Sequence, residues 1–151
     1  EKAQVRVKGR EACKKYVPHL ELATKEDWAT EYGDKIVSIK AVKDIFDAIA
    51  HINIYGSGHT DCIISEDKQA IETFMNLVDS AGVFANASTR FADGYRYGLG
   101  AEVGISTSKT HARGPVGLEG LVIYKYKLFG SGQTVAPYAD GKKTFIHQRI
   151  I

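Results

Sequence analysis

The chain has 151 residues, 44% of them hydrophobic and 25% charged, a balance that suits one domain around a single core and excludes a disordered or fibrous protein. Its 20 basic and 18 acidic residues leave a net charge of +2, too little for the broad basic field that general nucleic-acid binding requires. The longest apolar run, GLVIY, is far too short to cross a bilayer, so no membrane role is expected.

The sequence begins at Glu1 and its sole methionine is Met75, which reads as a processed or excised chain. Its opening, EKAQVRVKGREACKK, lacks the apolar stretch of a secretory signal. Cys13 and Cys62 are too few for a disulfide framework and point to a reducing, intracellular setting. Cys13 stands among Arg10, Lys14 and Lys15, the pattern of a lysine-decorated surface helix. Glu31, in ATEYGD, reads from its spacing alone as an isolated, solvated acid before a strand.

From Lys35 onward the hydrophobic period alternates between two and 3.6 residues. IVSIKAV (36–42) reads as a strand, and Asp44 as the N-cap of a helix whose Ile45, Ala48, Ile49 and Ile52 share one face. YGSG (55–58) stops that helix. DCIIS (61–65) is a short strand of buried type. EDKQAIETFMNLVDSAG predicts a second helix with Ile71, Phe74, Met75 and Val78 inward, and GVFAN (82–86) a third strand. Strands separated by helices with short links predict an α/β fold with a parallel sheet and right-handed βαβ crossovers. Ligands in such sheets sit beyond the carboxyl ends of the strands, and Asn86 begins the segment at one of those ends.

Beyond Gly117, Val122–Phe129 reads as a long strand, GSGQ as a turn, and 133–136 and 144–150 as further strands. A hairpin that alternates aromatic and basic side chains in YKYK has an edge to cover, and a partner subunit would cover it.

In NASTRF, Asn86, Ser88, Thr89 and Arg90 could converge on an anion, the arginine supplying a fixed fork of donors and the hydroxyls short hydrogen bonds. The plainer alternative is a strand end with turn-forming residues and one surface arginine. Gly98, Gly100 and Gly104 miss the GxGxxG dinucleotide spacing by one residue, and AEVGISTS lacks helical periodicity, so these read as loop glycines free to take positive φ. His59 and Cys62 lack the further ligands of a zinc site. Cys62 lies in an apolar strand, where burial makes a thiol inert, and neither cysteine reads as catalytic. In HARGP, His111 and Arg113 precede a Pro-opened helix, PVGLEGL, and read as residues that fix a loop.

The segment VDSAGVFANASTRFADGYRYGLGAEVGISTSKTHARGPVGLEGL closely resembles the C-terminal part of γ-glutamyl phosphate reductase, a family of the aldehyde dehydrogenase superfamily. The likeness runs back through EYGD and DAIAHINIYGSGHTDCIIS and forward to YKYKLFGSGQ, with GHTDCI and EVGISTS of a more eukaryotic than bacterial cast. The resemblance implies an aldehyde-dehydrogenase-like catalytic domain and NADP(H)-dependent reduction of L-glutamyl 5-phosphate to L-glutamate 5-semialdehyde in proline biosynthesis. It implies a cysteine thioester whose nucleophile lies upstream of this chain, so that no catalytic residue and no metal is expected here and the segment alone is expected inactive.

By position, the resemblance assigns Glu31 to the nicotinamide ribose, and Asn86, Ser88, Thr89 and Arg90 to the glutamyl phosphate. It divides the chain into the C-terminal part of the catalytic domain (1–87), a return segment to the cofactor domain (88–116), and an oligomerisation strand or hairpin with a C-terminal extension (117–151). It further implies a homo-oligomer in the cytoplasm, or in mitochondria if the segment belongs to a bifunctional animal-type synthase. Beyond Gln133 the sequence runs past the expected bacterial end. A non-catalytic anion-binding or assembly module built on the same fold is the alternative reading.

Overall fold

The computed structural model describes residues 4–110 and 112–148. Five short strands and three helices follow in the order β1 (Arg6–Gly9), β2 (Glu21–Leu22), β3 (Ile36–Ile39), α1 (Ile45–Tyr55), β4 (Thr60–Ile63), α2 (Lys68–Leu77), β5 (Gly82–Ala85) and α3 (Ala136–Ala139). Every pairing between these strands is parallel, and α2 forms the crossover between the paired strands β4 and β5, so the α/β class is borne out.

The helix starts follow from their caps. Asp44 Oδ1 accepts the amide of Asp47 at 2.9 Å, and Asp67 Oδ1 accepts those of Gln69 and Ala70 at 2.9 and 3.2 Å, satisfying donors that the first turn leaves open. Gly56 ends α1. The packed centre is small: Ile49 of α1 meets Phe74 and Val78 of the α2 region, with Ile45, Ile52, Ile63 and Val83 around them. Met75, expected inward, is 42% exposed, because its helical position turns it past the stripe that Phe74 occupies.

Three other expectations are corrected. The strands do not form one sheet: β2-β1-β3 and β4-β5 are separate, and α1 carries the chain from one to the other. The opening is not a surface helix. Val5 and Val7 alternate with polar residues into β1, and Cys13 lies in a 3-10 turn (Glu11–Cys13), 2% exposed, with its thiol directed at the Ile39 carbonyl 3.8 Å away.

The third concerns the C-terminal region. PVGLEGL forms only a 3-10 turn at Leu118–Leu121. The strand expected over Val122–Phe129 is not formed within this chain, because a strand exists by its ladder and no other segment of the chain bonds to this one among the described residues. Its Ile123, Tyr124, Tyr126, Leu128 and Phe129 are almost fully exposed. GSGQ bends as expected, with Gly132 at φ +91° and the Ser131 amide donating to Gln133 Oε1 at 2.7 Å. The return strand at 133–136 is replaced by the start of α3, where Pro137 sits in the first turn. No strand forms at 144–148, where Phe145 instead stacks on Tyr138 at 4.6 Å, and the remainder of the strand expected to Ile150 lies outside the described residues. No described helix is long and apolar enough to cross a membrane.

Because Phe74 is 4% exposed at the middle of so small a core, Phe74→Ala is expected to cost about 3–5 kcal/mol in denaturant unfolding, whereas Met75→Ala is expected to cost below about 1 kcal/mol.

Candidate functional site

Glu31 is placed by a buried carboxylate four residues before it. Asp27 is 7% exposed and accepts from Lys8 Nζ of β1 at 2.6 Å, from the amide and hydroxyl of Thr24 at 2.8 and 3.1 Å, and from the Tyr32 hydroxyl at 2.9 Å. The Tyr32 hydroxyl also meets Ser38 Oγ of β3 at 2.7 Å. The Lys8 ammonium, the Thr24 amide and the Tyr32 hydroxyl hold the Asp27 carboxyl well below its ordinary range. One side chain thereby fastens the Glu26–Ala29 turn to two strands and sets the direction in which the next residues leave it.

Those residues border a groove of about 850 Å³ lined by Trp28, Glu31, Tyr55, Ser57, His59 and Thr107 among others. Glu31 is exposed there, and its carboxylate has no hydrogen bond or ion pair among the described residues. Trp28 is braced from behind by His51, edge to face at 5.4 Å, and His51 in turn contacts Tyr55 at 4.8 Å on the same face of α1. Burial, with Lys40 nearby, lowers the pKa of His51 from its ordinary value. Sequence reading missed Trp28, Tyr55 and Thr107, and weighed His59 only as a metal ligand. The aromatic residue beside two acids in EDWATEY was the available signal for the first of them.

The four residues expected to hold an anion are not equivalent. Asn86, the only described non-glycine residue at positive φ (+53°), is a clasp: its Oδ1 accepts the Ser65 amide at 2.9 Å and its Nδ2 donates to the Ser65 carbonyl at 2.8 Å. Ser88 caps the 3-10 turn at Thr89–Phe91, its Oγ accepting the Arg90 amide at 3.3 Å. The Cys62 thiol, half-buried in β4, donates to the Ala87 carbonyl at 3.1 Å and ties the loop to the sheet. Thr89 and Arg90 are exposed, and their side chains make no hydrogen bond or ion pair among the described residues. The loop begins at the carboxyl end of β5, while the Glu31 groove meets β4 at its amino end through His59, roughly 10 Å away along the strand.

The loop around HARGP is pinned, as expected for Arg113. Arg113 donates to Asp79 Oδ1 at 3.1 Å, to the Asp79 carbonyl at 3.0 Å and to the Gly58 carbonyl at 3.3 Å, and Lys109 pairs with Asp79 at 2.7 Å. Lys109 and then Arg113 hold the Asp79 carboxyl below its ordinary range. His111 lies outside the described residues. Gly98 and Gly100 take φ of +77° and +69°, which accounts for two of the three glycines.

The fold and the groove define part of a parallel α/β protein with ligand-sized space between the end of α1, the amino end of β4 and the Glu26–Ala29 turn. No protein-family model matches the chain. Its relatives are γ-glutamyl phosphate reductases, so the resemblance read from the sequence holds. The chain is 68% identical over 129 residues to the reductase of Acaryochloris marina, covering 85% of this chain and 30% of that one. To the reductase of Trichodesmium erythraeum it is 56% identical over 149 residues, covering 98% and 35%. The crystal structure of γ-glutamyl phosphate reductase from Thermotoga maritima superposes with a TM-score of 0.78 at 46% identity, covering 86% of this chain and 31% of that chain. The chain thus spans about a third of the curated relatives it matches. A match of 149 residues necessarily runs past Gln133, so the last stretch is shared with a bacterial relative and is not an addition beyond the bacterial length.

Two predictions follow from the fastenings. Asp27→Asn is expected to lower the unfolding midpoint at pH 7 and to change the emission of Trp28, the sole tryptophan. In the unsubstituted chain the Asp27 contribution is complete above the ordinary value of 3.8 and is lost as pH falls from there toward the depressed folded value, so an acid titration of Trp28 emission should show its transition below pH 3.8. Asn86→Ala is expected to destabilise by about 1–2 kcal/mol in denaturant unfolding, since it removes both bonds to Ser65 while leaving the backbone at positive φ.

Proposed function

We propose that the chain is the C-terminal part of an NADPH-dependent γ-glutamyl phosphate reductase, acting in proline synthesis on L-glutamyl 5-phosphate to give L-glutamate 5-semialdehyde. The observation that carries this reading is the Glu31 carboxylate, without a partner among the described residues, at the rim of an aromatic-walled groove, in a chain 68% identical over 129 residues to a γ-glutamyl phosphate reductase. A carboxylate can accept two hydroxyl donors at once, which suits a ribose, and the walls formed by Trp28 and Tyr55 suit a flat ring. NADPH, when bound, supplies hydride. The chain's own residues bind and orient: Glu31 holds the sugar, and the Asp27 network keeps Glu31 at the groove.

Thr89 and Arg90 are the residues of NASTRF free to meet substrate, the guanidinium matching the charge of an acyl phosphate. Asn86 and Ser88 shape the loop that presents them. The nucleophilic cysteine comes from outside this chain, because Cys13 is buried against Ile39 and Cys62 is engaged with Ala87. Residues 1–87 serve the catalytic domain, 88–116 return to the cofactor domain, and the exposed run Val122–Phe129 is the oligomerisation element of a cytoplasmic homo-oligomer.

In the full-length enzyme, Glu31→Gln is expected to raise KM for NADPH about tenfold and Arg90→Ala to raise KM for the acyl phosphate about 10- to 100-fold, the range of a lost charged hydrogen bond. Steady-state kinetics with each substrate varied in turn separates the two. Unchanged KM values in both variants would remove the assignment, and reductase activity of residues 1–151 alone would remove the external nucleophile.

A further inference from the structure

The loop after Arg90 carries two acids, and they differ in how they are used. Asp93 accepts the Tyr95 and Arg96 amides at 2.9 and 3.2 Å and pairs with the Arg96 guanidinium at 3.0 Å. Glu102 is exposed, and its carboxylate has no hydrogen bond or ion pair among the described residues.

The backbone around Glu102 is nevertheless held firmly. The loop doubles back, with the Leu99 amide donating to the Gly94 carbonyl at 2.8 Å and the Arg96 guanidinium to the Arg90 carbonyl at 2.9 Å. Gly94 lies so close to this return that a Cβ there would stand 2.8 Å from the Glu102 Cβ. One residue on, the Val103 amide donates to the carbonyl of Val116 at 2.9 Å, and Val116 is 3% exposed. Ser106 bridges to Arg113, itself pinned to Asp79 and Gly58. Glu102 is thus a free carboxylate on a fixed stretch of chain.

It borders a cavity of about 260 Å³ together with Gly104, Ser106, Thr107, Gly114 and His59. His59 and Thr107 also line the Glu31 groove, so the cavity and the groove share a wall. The Ser106 hydroxyl is engaged with Ser108 at 2.8 Å. The Thr107 hydroxyl has no partner among the described residues, and His59, whose Nδ1 meets the Thr60 hydroxyl at 2.8 Å, has none at Nε2. The cavity therefore offers one anionic acceptor beside two donors. That set is complementary to a group that carries a cation and an anion on one carbon, the zwitterionic head of an α-amino acid.

We propose that this cavity receives the α-amino-acid end of the substrate, with Glu102 accepting from the α-ammonium and Thr107 and His59 donating to the α-carboxylate. Arg90, on the same loop, meets the phosphate at the other end. The proposal rests on the reading of the chain as part of a γ-glutamyl phosphate reductase and adds a specificity determinant to it. Glu102 distinguishes a substrate with an α-amino group from one without it, which a merely solvated glutamate does not do.

The test uses the full-length enzyme in the direction opposite to the one proposed above, in which the aldehyde and inorganic phosphate form the acyl phosphate as hydride passes to NADP+. kcat/KM is measured for L-glutamate 5-semialdehyde and for 5-oxopentanoate, the same aldehyde without the amino group. Glu102→Gln is expected to lower kcat/KM for the semialdehyde about 10- to 100-fold more than for 5-oxopentanoate, the range of a lost charged hydrogen bond. Glu102→Asp, which keeps the charge, is expected to show a smaller difference. Comparing each variant with the unsubstituted enzyme cancels the fraction of semialdehyde that is cyclised. Equal losses on both aldehydes, or no loss on either, would overturn the proposal. An unsubstituted enzyme that does not oxidise the semialdehyde at all would overturn the functional reading and this proposal with it.

Discussion

A carboxylate withdrawn from water is tolerated only when donors replace the water, and Asp27 has four: the Lys8 ammonium, the Thr24 amide and hydroxyl, and the Tyr32 hydroxyl. The four donors come from three residues spread over the first forty, so satisfying one charge brings β1, the Thr24 turn and, through Tyr32 and Ser38, β3 into one arrangement. Apart from the β2-β1-β3 ladder, apolar packing adds little here: among the described residues of this region, Cys13 and Leu20 are the only buried apolar side chains. The polar hub stands where a larger core would otherwise be, and it also sets where Trp28 and Glu31 emerge.

The second half of the molecule relies on similar short fastenings. Asn86 binds both backbone groups of Ser65, Cys62 reaches Ala87, and Asp79 gathers Lys109 and Arg113. Each joins a loop to the end of a strand or helix without burying much apolar surface. Such contacts give direction more than stability, since exposed ion pairs contribute little. They leave Thr89, Arg90 and Glu31 as charged or hydroxyl-bearing site candidates whose side chains have no partner among the described residues. A residue engaged in holding the loop cannot also be released to hold a ligand, and that distinction separates Asn86 and Ser88 from Thr89 and Arg90.

The exposed apolar side chains of Val122–Phe129 and the open edges of β3 and β4 have a common physical origin. Short parallel strands gain stability from neighbours on both sides, and here β3 and β4 each have one. The same is true of Val122–Phe129, whose alternating pattern specifies an extended strand while no ladder within the chain receives it. Local sequence supplies the conformation, and pairing requires a second segment.

The α/β class, the two long helices and the cap at Asp44 were legible in the sequence because they rest on local physics: Asp44 bonds an amide three residues away, and Ile45, Ile49, Phe74 and Val78 recur at the helical period. The resemblance to the reductase was legible for the same reason, being a matter of residues in order. β1 and the hub at Asp27 were not legible, since Lys8 and Asp27 stand 19 residues apart and nothing local links them. Nor was the division of NASTRF into residues that clasp and residues that remain free, which depends on Ser65, 21 positions before Asn86. The sequence by itself determined α1, α2, β3, β4 and β5, whose hydrophobic periods and caps are local. Tertiary structure alone decided which polar groups are spent on one another, because a hydrogen bond is settled by what lies within 3 Å in space and not by what is adjacent in the chain.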